Sequence, residues 1–98
     1  MAASEPGDAF VYMVRCSGGE LYTGWTRDPA ARLQAHKAGK GAKYTRARGA
    51  IGFAYLERCA DKSAALRREA ALKKLPKTQK EALCAAWAVQ GCPEWTEI

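Results

Sequence analysis

Tyr22, Arg32, His36, Lys40, Lys43, Tyr44 and Arg46 crowd into one short stretch, and His36 is the chain's single histidine. Arg32 precedes His36 by four positions, so on a helix both project from one face. A guanidinium offers a planar fork that matches two phosphate oxygens. An imidazole can donate to a phosphate or move a proton near neutral pH. A lone helical histidine is ordinarily surface decoration; here a second cation, tyrosine-bearing strands and a basic loop adjoin it, which favours a site. Tyr12 and Tyr22 fall on two β-rich runs. Strand tyrosines are most often sheet-face residues, but a phenol can take a proton from water if nearby cations lower its pKa from about 10. Lys37, Lys40, Lys43, Arg46 and Arg48 are available to phosphates, with Tyr44 as a stacking surface. The alternative is a solvated charged loop.

A carboxylate enters from the later part of the chain. With about 100° of rotation per helical residue, Ala65 and Leu72 lie within about 60° of Glu69 on one side and Leu66 about 60° away on the other. Arg67, Arg68 and Lys74 then point away, and Glu69 sits in the middle of an apolar stripe. An unpaired carboxylate there is costly, so it calls for a cation, a metal or a pKa shift. One outcome is a buried salt bridge to a sheet arginine; the other is a metal ligand at the edge of a cleft. A single carboxylate with waters and substrate phosphate is an ordinary way to hold magnesium.

These residues need a scaffold. "AFVYMVRC", the turn "SGG" and "ELYTGW" read as a hairpin over residues 9–25. "TRDPAARLQAHKAG" reads as a helix, capped by Asp28, with Pro29 in its first turn and Gly39 at its end. Residues 40–50 are a cationic loop, and "IGFAYLERC" is a third strand with a bulge expected at Gly52. Asp61 or Ser63 opens a second helix that runs to about Leu75, and Pro76 stops it. "KTQKEALCAAWAVQ" is a third helix, with Thr78 as its cap and Gly91 at its end. The order β-β-α-β-α-α predicts an α+β fold, a three-stranded antiparallel sheet flanked by helices.

At 98 residues the chain is one domain. It is 48% hydrophobic, much of that alanine, which predicts a thin core of two layers. No apolar run reaches the roughly 18–20 residues that span a bilayer, and no early run resembles a signal peptide, so the expected location is cytoplasmic with no membrane partner. The net charge of +6 suits a polyanion, whose counterions are released on binding. Cys16, Cys59, Cys84 and Cys92 form no C-x-x-C pair, and one histidine cannot complete the usual Cys/His zinc sets. Trp87 and Trp95 are read as core, with a partner surface as the alternative.

Taken together, "FVYMVRCSGGELYTGWTRDPAARLQAHKAGKGAKYTR" and "KSAALRREAALKKLPKTQKEAL" resemble the GIY-YIG nuclease superfamily. "VYM" holds the place of the first signature tyrosine, and "YTG" the place of the second signature. Phe10 stands where the first glycine would be. The resemblance covers roughly residues 9–84 and divides the chain into a flexible N-terminus at 1–8, the domain at 9–90 and a tail at 91–98. It implies hydrolysis of nucleic-acid phosphodiester bonds dependent on Mg²⁺ or Mn²⁺, with DNA favoured over RNA. By motif position it implies catalytic roles for Tyr12, Tyr22, Arg32, His36 and Glu69, with Glu69 as the metal ligand and Gly24 as the packing glycine of the motif. Tyr12, or as the second choice Tyr22, is expected to help deprotonate the attacking water, with His36 assisting proton movement or orienting the phenol. A protein partner supplying specificity is a further expectation. The competing reading is a nucleic-acid-binding module that keeps the fold and cleaves little.

Overall fold

β-Branched and aromatic residues in alternation draw the first third of the chain into a hairpin. In the computed structural model, which describes residues 8–40 and 49–89, β1 is Ala9–Cys16 and β2 is Leu21–Thr26. Gly19, with φ at 91°, makes the turn between them and donates its N–H to the Cys16 carbonyl at 2.9 Å. Helix α1 spans Pro29–Lys37, followed by β3 at Ala50–Cys59, α2 at Lys62–Lys73 and α3 at Lys77–Val89. The sheet is antiparallel in the order β2-β1-β3. This is the β-β-α-β-α-α arrangement expected from the sequence.

Local chemistry sets the helix ends. The Asp28 carboxylate accepts the Ala31 N–H at 3.2 Å, and Pro29 occupies the first turn. At the other end Gly39 adopts φ of 77°, Lys40 N–H bonds the Ala35 carbonyl at 2.8 Å, and Gly39 N–H bonds that of His36 at 3.1 Å. This paired closure needs a left-handed residue, which glycine adopts without a Cβ penalty. Asp61 caps α2 by accepting the Ala64 N–H at 2.8 Å. Thr78, in contrast, lies inside α3. The Pro76 carbonyl accepts the N–H groups of Gln79 and Lys80, so the helix begins at Lys77, two residues earlier than Thr78 capping required. Gly91 lies outside the described residues.

Apolar residues line both sides of β1, and helices cover both faces of the sheet. Ala9 and Val11 pack with Cys59, Ala65 and Leu72 on one face. Tyr12 and Val14 pack with Leu33, Phe53 and Trp87 on the other. The expected two-layer core is therefore three layers, because alternate residues of the central strand are apolar in both registers. β3 carries two register irregularities, opposite Met13/Val14 and Arg15/Cys16. The extra residues are Ala54 and Ile51, so Gly52 lies between the bulges rather than in one. Arg15 grips Glu81 through two bonds of 2.6 Å and donates to the Gly19 carbonyl at 3.0 Å, tying α3 to the hairpin turn. Asp8, assigned by the sequence to the loose terminus, is buried and paired with Arg58 at 3.0 Å. Cys16, Cys59 and Cys84 are buried. Among the described residues no helix is long and apolar enough to cross a membrane.

Thr23 is a local misfit. It is 4% exposed on β2, opposite Met13, and its hydroxyl finds no hydrogen-bond partner among the described residues. A buried hydroxyl without a partner costs about 1–3 kcal/mol. Thr23→Val keeps the shape and removes that penalty. It should stabilise the domain by about 1 kcal/mol, raising Tm by about 4–8 °C; a lower Tm in calorimetry would contradict this account.

Candidate active site

The site is organised around the Tyr12 phenol. Tyr12 lies opposite Gly24 in the β1–β2 register, so both face the same side of the sheet. A Cβ on Gly24 would stand 2.6 Å from Tyr12 Oη and 2.8 Å from Cζ. Only glycine lets the ring lie across the edge strand there. Beyond it, Tyr12 Oη meets His36 Nε2 at 2.9 Å in a buried contact. His36 is inward-facing because α1 buries Leu33 and His36, three positions apart, against the sheet. The imidazole stands edge-on to Tyr12, with ring centroids 5.6 Å apart, and tilts against Tyr22 at 5.5 Å. Phe53 on β3 supports the Tyr12 ring at 5.3 Å. Sequence reasoning did not single out Phe53, because plain alternation puts it on the face of Tyr55 and only the bulge at Ala54 brings it to this one.

Charge at the site runs against one expectation. Burial pushes the Tyr12 phenol well above its ordinary pKa; Tyr22 and Glu69 add to the rise and Arg32 opposes it. The condition for a resting phenolate base, a pKa lowered by cations, is not met: desolvation outweighs the one guanidinium. Burial, and next the Arg32 charge, lower the His36 pKa from its ordinary 6.5. Both rings are therefore neutral near pH 7. The phenol O–H can donate to Nε2 when the imidazole carries its proton on Nδ1.

His36 makes stability depend on pH in a definite direction. The unfolded chain takes up a proton below about pH 6.5, while the folded imidazole resists it. The contribution is thus intact above pH 6.5 and is lost as pH falls below it, until the depressed folded pKa is reached. Urea midpoints should drop between pH 7.5 and 5.5, by up to about 1.4 kcal/mol per pH unit, and His36→Gln should flatten the profile. Equal slopes in the two proteins would refute the assignment.

Arg32 is exposed on α1, one turn before His36, and its charge reaches both Tyr12 and His36. Glu69, from α2, also acts on Tyr12. The fold thus brings Tyr12, Tyr22, Arg32, His36 and Glu69 into one neighbourhood at the β2 side of the sheet. Lys37 and Lys40 are exposed at the end of α1. Lys43, Tyr44, Arg46 and Arg48 lie outside the described residues, as do Cys92 and Trp95. Trp87 is buried in the core.

Glu69 is not centred in its helix's buried face. Ala65 and Leu72 are fully buried, but Leu66 is 40% exposed. Arg68, expected to point outward, reaches the sheet instead: its Nε donates to Glu57 Oε1 at 2.9 Å, and the Tyr55 O–H donates to the same oxygen at 2.6 Å. The inward face is consequently turned by roughly 50° from the expected one, with Arg68 on one flank of Ala65 and Leu72 and Glu69 on the other. No sheet arginine pairs with it among the described residues; its ion pair is with Lys73 at 3.4 Å, on its own helix. Among those residues no group of three or more His, Cys, Asp or Glu gathers. A single carboxylate, its side chain 16% accessible, fits a hard cation that keeps waters and takes substrate oxygens, such as Mg²⁺ or Mn²⁺. It does not fit a structural zinc.

The GIY-YIG catalytic domain family model matches residues 8–82. The chain is 48% identical over 73 residues to a UPF0213 protein of Halobacterium salinarum, a span covering 74% of this chain and 95% of that one. It is 52% identical over 66 residues to a UPF0213 protein of Streptococcus sanguinis, covering 67% of this chain and 76% of that one. The solution NMR structure of the UPF0213 protein BH0048 from Bacillus halodurans superimposes with a TM-score of 0.52 at 37% identity, over 89% of each chain. A phenol laid over the signature glycine, and a family match spanning all three strands and most of the helices, lead to one conclusion: this chain belongs to the GIY-YIG family.

Proposed function

We propose that the protein is a nuclease that hydrolyses phosphodiester bonds in nucleic acid, DNA ahead of RNA, with one Mg²⁺ or Mn²⁺ held by Glu69. When bound there, the ion supplies Lewis-acid stabilisation of charge on the phosphate and leaving oxygen. Arg32 clamps the scissile phosphate and offsets the charge that builds in the transition state. Tyr12 takes the proton of the attacking water only as it passes its own to His36 Nε2. Water oxygen then bonds to phosphorus, the bond to the leaving oxygen breaks, that oxygen takes a proton from solvent, and the imidazole returns its extra proton to solvent. Tyr22 steadies that ring from its other side. Lys37, Lys40, Lys43, Arg46 and Arg48 hold the flanking backbone, and Tyr44 offers a stacking face.

The observation that supports this reading most is the 2.9 Å Tyr12–His36 contact, set where Arg32 and Glu69 both act on the phenol. A purely structural cluster has no need of an exposed guanidinium and a rim carboxylate around one buried proton pathway. The test is cleavage of branched, single-stranded and duplex DNA and of RNA, with Mg²⁺, Mn²⁺ or EDTA. Arg32→Ala should slow metal-dependent cleavage by about 10²–10³-fold with the fold retained. Cleavage indifferent to EDTA or to Arg32→Ala would mark a contaminant. Binding without cleavage on every substrate would favour a nucleic-acid-binding module instead.

A further inference from the structure

Residues 73–80 hold four lysines, Lys73, Lys74, Lys77 and Lys80, and no acid. They fall where α2 ends and α3 begins, on a corner that the backbone fixes. The Leu72 carbonyl accepts the Leu75 N–H at 3.1 Å, Leu75 packs on the core, and the Pro76 carbonyl accepts the N–H groups of Gln79 and Lys80. Lys73, Lys74 and Lys77 are exposed, and Lys80 is half-buried. Folding does not call for this charge. The first turn of α3 carries no acid, although the macrodipole there favours carboxylates and disfavours lysine. Nor do the carboxylates paired with these lysines cancel it. Glu81 stands 3.7 Å from Lys77 but is already held by Arg15 through two bonds of 2.6 Å. Glu69, 3.4 Å from Lys73, offsets one charge of the four.

The corner also adjoins the site. Lys73 meets Glu69, and Lys77 Nζ donates to the Gly19 carbonyl at 2.8 Å, in the β1–β2 turn. That bond takes one of the three ammonium donors and fixes where the charge stands. Gly24, beneath the Tyr12 phenol, follows Gly19 by five positions. At about 3.4 Å per extended residue the turn therefore lies within about 17 Å of it. One strand of duplex DNA carries a phosphate about every 3.4 Å along the axis, so the reach is about five phosphates. We infer that Lys74, Lys77 and Lys80, with Lys73 at the edge of the site, form a phosphate-binding surface that holds duplex DNA where it runs from the site toward the β1–β2 turn. The inference rests on the proposed action on nucleic acid. These lysines set the affinity and placement of the duplex and touch no reacting atom.

Salt-dependent binding tests this. A duplex of about 20 base pairs is titrated in EDTA at about 50 to 200 mM NaCl, where counterion release governs affinity. Lys74→Gln/Lys77→Gln removes two charges from the corner. Lys62→Gln/Arg67→Gln removes two exposed charges from the first half of α2, which leaves the sheet at the Ala9–Cys59 end, away from the turn. Each lost phosphate contact lowers the slope of log affinity against log salt by about 0.9. The corner variant should therefore be shallower by about 1.8, so that its affinity falls about twelvefold less than the wild type's over that range. The α2 variant should keep the wild-type slope. An unchanged slope in the corner variant, or an equal change in both variants, would overturn the inference, as would a wild type that binds no duplex. Should the double corner variant fail to fold, Lys74→Gln alone is read the same way, with a slope change of about 0.9. The titration needs neither metal nor turnover. DNA bound with the expected slopes but never cut would therefore refute the nuclease reading alone.

Discussion

Glu69→Gln should abolish the proposed metal-dependent cleavage while leaving the fold in place. The loss expected is about 10³-fold, which corresponds to about 4 kcal/mol of transition-state stabilisation at 1.36 kcal/mol per factor of ten. The structural cost is far smaller. Glu69 makes one i,i+4 ion pair with Lys73, at 3.4 Å and with the lysine largely in solvent. Such a pair contributes about 0.3–0.5 kcal/mol. Glutamine keeps the side-chain volume, so packing at the rim of α2 is undisturbed. Activity and stability should therefore separate by nearly an order of magnitude in free energy. Denaturant titration beside single-turnover cleavage measures both. A Glu69→Gln protein that cleaves within a few-fold of wild type would remove the carboxylate from the mechanism, whatever its stability.

Gly24→Ala should have the larger effect on the fold. Its methyl would stand 2.6 Å from Tyr12 Oη, far inside van der Waals contact. The phenol cannot swing aside cheaply: it is 2% exposed and packed between Phe53 and His36. Overpacking in such surroundings costs about 1–3 kcal/mol, and breaking the buried Tyr12–His36 bond adds about 1–3 kcal/mol. A loss of about 2–6 kcal/mol is expected, less a small gain because alanine suits a strand better than glycine. Tyr12→Phe discriminates the cause. In that background the oxygen clash is gone and the Cζ clash at 2.8 Å remains, so Gly24→Ala should cost less than in the wild type. Additive costs in that double-mutant cycle would show that Gly24 and Tyr12 are not coupled. Cleavage should fall with the Tyr12–His36 contact, since the proposed proton path runs through it.

The same two positions show what linear reading can reach. The signature "YTG" identifies Gly24 as a motif residue, yet nothing in the string says which atom occupies the space its missing Cβ leaves. That requires the register Tyr12↔Gly24, a tertiary fact. The pKa of Tyr12 shows the same limit. Counting nearby cations predicts a depressed phenol, whereas burial reverses the sign. Desolvation depends on how many layers cover a residue, and the three-layer packing was hidden by an alternation that is apolar in both registers.

The sequence by itself determined the order of elements, the caps at Asp28, Gly39 and Asp61, and the pairing of Arg32 with His36 on one helix. These rest on local backbone and side-chain chemistry within a few residues, which a string displays directly. It also singled out Glu69, although for a reason the structure revises. Only the tertiary structure decided which face of α2 turns inward. Ala65 and Leu72 turn inward with Arg68 on one flank and Glu69 on the other, and Arg68 meets Glu57, eleven positions earlier and on another element. A carboxylate's partner across a sheet is a long-range contact, and no local pattern encodes it.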